Sequence, residues 1–215
     1  NSIDRMLVGV SLAPITYGPT WVMRSTLTNF TGRAIKWDRG SDGVVLIYHN
    51  TAWTNSPDAS GMELISAVRN TAMRNNIFQM NGFAITERPT GSTNNDWNNN
   101  NWYSTRTSSN PHFKWENVNY NRITNLCNGA GLECSGYDTP PGFVNPGSGN
   151  FSLTGSSPNV NRAVLIPGIN DSFAGSAPDA GAFEFQLAPT PTLTPFPSAI
   201  PSATLTLTAP VPTQP

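Results

Sequence analysis

Val22-Met23-Arg24-Ser25-Thr26-Leu27, Ile47-Tyr48-His49-Asn50-Thr51-Ala52 and Ala72-Met73-Arg74-Asn75-Asn76-Ile77 follow one another at steps of 25 residues. Each reads apolar, bulky, Arg or His, Ser or Asn, Thr or Asn, apolar. After a polar gap each is followed by a Gly and a short apolar run: Gly32-Arg33-Ala34-Ile35, Gly61-Met62-Glu63-Leu64 and Gly82-Phe83-Ala84-Ile85. A repeat of roughly 20–30 residues, made of short β-prone runs joined by Asn and Gly turns, is what a stacked coil requires. One coil cannot bury its own apolar face. Stacking at the strand spacing of about 4.8 Å buries it against the next coil. In that arrangement Val22, Ile47 and Ala72 lie over one another. Ser25, Asn50 and Asn75 form a polar column at a tight turn, where an amide donates to and accepts from neighbouring backbone and tolerates left-handed φ. A β-sandwich also supplies short strands, but not three in-register copies at one spacing.

Composition agrees. The chain has 215 residues, 12 basic and 13 acidic, for a net charge of −1, and only 12% are charged. An ordinary domain has roughly 25%. Asparagine fills much of the gap, with 25 copies. No basic stripe is present to neutralise phosphates, which argues against nucleic-acid binding. No run approaches the roughly 18 apolar residues of a membrane span. Helix formers are scarce and Thr, Val, Ile and Asn are plentiful, so an all-β fold is expected. The opening Asn1-Ser2-Ile3-Asp4 reads as the middle of a patterned segment, hence as part of a longer or processed chain. From Ala188 to Pro215 the chain has neither charge nor Gly, and Pro and Thr recur. This Pro/Thr-rich linker or stalk is expected to be disordered or polyproline-like, and to hold the preceding 187 residues outside a cell, with attachment to the cell surface through it.

Several segments resemble the secreted right-handed parallel β-helix repeat proteins of the pectate-lyase-like fold. Val45-Leu46-Ile47-Tyr48-His49-Asn50-Thr51 and Arg74-Asn75-Asn76-Ile77-Phe78 are similar to coils of that family. Asp96-Trp97-Asn98-Asn99-Asn100-Asn101-Trp102-Tyr103 is similar to the Asn-rich stretch after its last regular coils. Pro141 to Pro146, Asn150 to Pro158 and Asp179-Ala180-Gly181-Ala182-Phe183-Glu184 resemble its closing elements in order. One departure is Asn159-Val160-Asn161-Arg162, which stands where the family has an Asp after its Ser-Pro pair. The resemblance implies a right-handed parallel β-helix, with coils over about 8–103. It implies an irregular C-terminal cap over about 104–187, in which Trp115, Phe143, Phe151, Phe183 and Phe185 cover the apolar end. It further implies an extracellular bacterial protein that works on or holds polysaccharide.

Candidate chemistry is sparse. Arg24, His49 and Arg74 fall at equivalent repeat positions, and Lys36 follows on the adjacent run. A row of such cations on one solenoid face suits the carboxylates of an acidic glycan. In the resembled lyases an Arg or Lys removes the proton beside a uronate carboxylate, so Arg24, Lys36, His49 and Arg74 are the catalytic candidates. The alternative is that they are corner residues bonded to loops. Tyr48 and Trp53 are candidates to stack on sugar rings. Carboxylates are scattered, with no facing pair for glycoside hydrolysis and no oxygen-rich cluster for calcium, and no cofactor motif is evident. Cys127 and Cys134 are seven residues apart across a Gly-rich loop and fit a local disulfide. Two functions follow: a polysaccharide lyase or related carbohydrate-active enzyme, with the four candidates converging in a cleft, or a non-catalytic glycan-binding, adhesive or scaffolding module with a flat face.

Overall fold

Short β-branched and aromatic runs separated by Asn and Gly do form strands, and each pairs in parallel with its counterpart one coil later. The computed structural model describes residues 1–186 apart from 14, 40, 41, 89, 90, 108 and 109. The stalk expected over Ala188 to Pro215 lies outside the described residues. The chain starts with β1 (Ser2–Asp4), β2 (Val8–Leu12) and β3 (Thr20–Met23). The next coil gives β4 (Thr26–Thr28), β5 (Arg33–Trp37) and β6 (Val45–Tyr48). Then come β7 (Thr51–Trp53), β8 (Ser60–Leu64), β9 (Thr71–Arg74), β10 (Ile77–Met80), β11 (Ile85–Glu87) and β12 (Asp96–Asn98). β13 (Asn101–Ser104) and β14 (Phe113–Trp115) end the stack, and β15 (Val118–Tyr120) turns back antiparallel on β14 at the edge of its sheet.

Three parallel sheets result, making a parallel β-solenoid. The first sheet is β1-β4-β7-β10-β13, the second runs β2-β5-β8-β11-β14, and the third is β3-β6-β9-β12. Stacking reaches Phe113, which pairs with Ile85, so the coils continue beyond 103. Inward columns fill the interior: Leu27-Ala52-Phe78-Trp102, Val22-Ile47-Met73-Trp97, and Ile35-Met62-Ile85-Phe113. Side chains enlarge toward the last coil, where Phe78 stacks on Trp102 at 4.1 Å and Trp97 meets Trp115 edge-on at 5.0 Å.

The register departs from a fixed period. Val22 pairs with Ile47, Ile47 with Met73 and Met73 with Trp97, steps of 25, 26 and 24 residues. Met73, not Ala72, therefore lies over Ile47. The polar column shifts with it, to Ser25, Asn50, Asn76 and Asn100. Asn50 Oδ1 accepts from the Ser25 N–H at 3.1 Å, Asn76 Oδ1 from the Asn50 N–H at 2.8 Å, and Asn100 Oδ1 from the Asn76 N–H at 2.9 Å. Each amide NH2 also donates to the next Asn or to core-strand carbonyls. The residues just before them, Arg24, His49, Asn75 and Asn99, all have left-handed φ, which makes the corner tight.

The ladder needs an acceptor after Asn100, and Glu133 supplies it. Its carboxyl takes the Asn100 Nδ2–H at 2.6 Å and the Trp102 indole N–H at 2.8 Å, while its own N–H bonds to Trp97 O at 2.8 Å. The segment around Glu133 thus behaves as a partial further coil. Its neighbour is α1 (Ile123–Ala130), a helix that the all-β reading did not include. Ile123, Leu126 and Leu132 join the main core and cover its end. Gly131, at φ 69°, terminates α1 by donating to Cys127 O. The Cys127–Cys134 disulfide ties helix to ladder terminator. Of the aromatics expected over the end, Trp115 does pack there. Phe143 and Phe151 lie instead on the outer flank of the first sheet, with the antiparallel pair β16 (Phe143–Asn145) and β17 (Asn150–Leu153). No helix of the described residues is long and apolar enough to cross a membrane.

Two outcomes test the ladder. Asn76→Ala strands buried donors and acceptors on both neighbouring coils, so urea unfolding is expected to show a loss of about 3 kcal/mol. Burial pushes the Glu133 carboxyl up to about 7, against the bonds from Trp102 and Asn100. Its contribution is therefore complete below the ordinary value of 4.5 and is lost as pH rises through about 7. Stability is expected to fall on that side by about 3 kcal/mol, a slope that is absent in Glu133→Gln.

Candidate functional site

The one-residue slip decides where the candidate side chains go. Arg24 and His49 occupy the left-handed corner, but Asn75, not Arg74, is their counterpart. Arg74 pairs with Tyr48 on the outer face of the third sheet and makes an ion pair with Asp96. Lys36 is on the second sheet, on another face of the prism. The four expected to converge in a cleft are thus distributed over a corner and two faces. Arg24 Nη2 donates to Ile169 O at 3.2 Å. His49 is fully buried under the C-terminal segment, and burial, aided by the Arg24 charge, lowers its imidazole to about 4. It is a neutral, enclosed ring at physiological pH, with no face for a substrate.

The expected sugar-stacking pair is also covered. Trp53 is 4% exposed because Phe151 lies on it at 5.9 Å. Tyr48 is 8% exposed, edge-on to Trp21 at 6.3 Å. Burial raises the Tyr48 hydroxyl. The ring that faces solvent here is Trp21, 46% exposed, which neither its repeat position nor its neighbours singled out.

The second sheet carries the densest charge. Its outward column runs Ser11, Lys36, Glu63, Thr86, Lys114, one residue per coil. Glu63 is buried and held between two guanidinium groups, Arg33 and Arg88, the latter at 3.0 Å. Lys36 Nζ lies 2.6 Å from Asp38 Oδ1, and Ser11 Oγ bonds the other Asp38 oxygen at 3.3 Å. The Lys36 ammonium, as the main cause, holds the Asp38 carboxyl below its usual range. Lys114 makes no ion pair among the described residues. Arg33, Lys36 and Arg88 thus meet Asp38 and Glu63, and Lys114 stands two strands beyond Glu63 along the column, four cations against two carboxylates on this face. Both lysines of the chain are here. Only Lys36 was singled out from sequence, because aligning the short runs on their glycines hid the column: that alignment sets Met62 against Arg33, whereas Met62 pairs with Ile35 and Glu63 with Lys36.

Two further carboxylates serve the backbone. Glu116 accepts from the N–H groups of Gly91 and Ser92, and Glu87 accepts from the Glu116 N–H at 2.7 Å and from the Ser92 hydroxyl. Burial raises the Glu87 carboxyl. These two acids close a loop. In the departure from the family pattern, Asn159 is fully buried and accepts from Asn101 Nδ2 and the Tyr137 hydroxyl, both at 3.0 Å. An amide there stitches cap to coil.

Compared with models of known protein families, with curated proteins and with solved structures, the chain gives no match.

Removing Glu63 leaves two facing guanidinium groups without their shared anion. Glu63→Ala is expected to cost about 3 kcal/mol by denaturant unfolding, near the lower end for a broken buried pair because Arg88 is solvent-accessible.

Proposed function

We propose that this protein is an extracellular, non-catalytic glycan-binding module that holds an anionic polysaccharide on the outer face of the second sheet. The observation that carries the reading is the cation surplus at Arg33, Lys36, Arg88 and Lys114, fixed on stacked strands. Arginine fixed by a carboxylate keeps unused N–H donors in a planar fork suited to a uronate. Lys36 and Lys114 are three strands apart, about 14 Å at the parallel-strand spacing, so a chain lying along the solenoid axis meets both. The lyase reading called for Arg24, Lys36, His49 and Arg74 in one cleft, and their separation favours binding over elimination. The Cys127–Cys134 bridge supports an oxidising, extracellular setting, and the Pro/Thr-rich stretch after residue 187 suits attachment at a cell surface.

Calorimetric titration with a polyuronate and with a neutral polymer of similar length tests this. The polyuronate is expected to bind, more weakly as salt rises, and the neutral polymer is not. Lys36→Ala combined with Lys114→Ala is expected to lower affinity at least tenfold, about 1.4 kcal/mol. Folded protein with no affinity for any polyanion would contradict the proposal. Ultraviolet absorbance of an unsaturated product in the same samples would overturn its non-catalytic part.

A further inference from the structure

The C-terminal strap, residues 159–186, lies along the corner between the third and first sheets. It does not share the main core. Its apolar contacts belong to a small separate cluster of Ile77, Leu153 and Ala180, flanked by Phe143, Val160 and Phe185. Its attachment to the coils is otherwise polar. Asn75 Oδ1 accepts from the Val164 N–H at 2.9 Å, Asn75 O from the Gly181 N–H at 2.7 Å, and Thr51 Oγ1 from the Ala182 N–H at 2.9 Å. Arg24 donates to Ile169 O from the coil side. A unit with few apolar contacts opens at lower free energy than the core it sits on.

His49 is at the centre of this contact, and its proton count is fixed by geometry. Nε2 faces Asn170 Nδ2 at 2.8 Å and Asn75 Nδ2 at 3.1 Å. Neither amide can turn its oxygen to the ring. Asn75 is held by donating to Val164 O at 2.8 Å while accepting from the Val164 N–H. Asn170 is held by donating to Val164 O at 3.0 Å while accepting from the Ile166 N–H at 2.6 Å. Nε2 is therefore an acceptor, and Nδ1 carries the proton and donates to Gly181 O at 3.2 Å. An imidazolium would set a third donor against two, in a site without water access and beside Arg24.

We infer that His49 is an acid-sensitive latch: protonation at Nε2 releases the 159–186 strap from the solenoid flank while the coils stay folded. The ring's lowered value, about 4 against 6.5 in the open state, gives the direction. Docking is at full strength above 6.5 and weakens as pH falls toward about 4, because the docked state resists the proton. The charge acting on the ring is Arg24 on its own corner; on the strap the Asp179 backbone faces the ring, and the Glu184 carboxyl interacts with Asp179 and Arg24. Released, the strap would uncover the part of the first sheet around Thr51 and Asn101.

Amide hydrogen exchange of the full chain, corrected for intrinsic rates, tests this alongside NMR titration of the His49 ring. Protection at Val164, Gly181 and Ala182 is expected to fall about tenfold per pH unit between 6.5 and about 4, with Ile47 and Met73 unchanged. His49→Gln keeps a donor and an acceptor but does not titrate, and its strap is expected to stay protected over that range. Strap protection that persists once the ring is protonated would overturn the inference. So would release of the His49→Gln strap in the same pH window, which would assign the effect to a group other than the ring, such as the Glu184 carboxyl. Where that variant does not dock at any pH, the wild type decides: coincident midpoints for ring and Gly181 support the latch, and midpoints more than one pH unit apart reject it.

Discussion

Everything in this molecule hangs from a column of side-chain amides at one tight corner. Ser25, Asn50, Asn76 and Asn100 lie on successive coils, and each Asn carbonyl takes the N–H that the corner of the preceding coil would otherwise leave unpaired. An unpaired buried N–H costs a few kcal/mol, so the column fixes the position of every coil relative to the next. With the corner fixed, inward side chains have a single register, and the Leu27-Ala52-Phe78-Trp102 and Val22-Ile47-Met73-Trp97 columns follow. The column also sets its own end requirement. The last amide must donate to something, and Glu133 is buried at cost to meet that need. A solenoid exposes strand edges at its ends, and here helix α1, the disulfide and Glu133 close one of them together.

The same corner places the chemistry. Side chains just before the amides are pushed into left-handed backbone and point to the flank, where Arg24, His49 and Asn75 become the docking row for the C-terminal strap. They are consumed by that role. The cations proposed to meet a ligand stand on the second sheet, where regular strands put one residue per coil, Lys36 and Lys114 among them, in an outward line. A polymer binder gains from such a line, since each added contact after the first is effectively intramolecular.

The fold was legible in the sequence and the site was largely not. Parallel stacking, the Asn column and the cysteine pair follow from spacing and residue type, because a tight turn accepts few residues other than Asn. The register was one residue out, since Ala72-Met73-Arg74-Asn75-Asn76 offers two asparagines and two ways to align. Choosing Asn75 put Arg74 in a false column with Arg24 and His49. Coil length varies in the loops, where no side chain repeats, so only the three-dimensional pairing settles it. Glu133 and the Glu63 cluster carried no local signal: a lone Glu in a Gly-rich loop and a Glu in an apolar run acquire meaning from residues 25 or more positions away. Helix α1 was missed because Ile123 to Ala130 has an Asn-rich sequence of low helix propensity that tertiary burial of Ile123 and Leu126 overrides.

The most direct measurement is a polyuronate titration of isotope-labelled protein followed by backbone and side-chain NMR. The account predicts that shifts concentrate at Ser11, Lys36, Glu63, Thr86 and Lys114, with the Arg88 guanidinium perturbed and the His49 corner silent. Shifts centred on Trp21, Arg74 and Asp96, or on the strap, would contradict it.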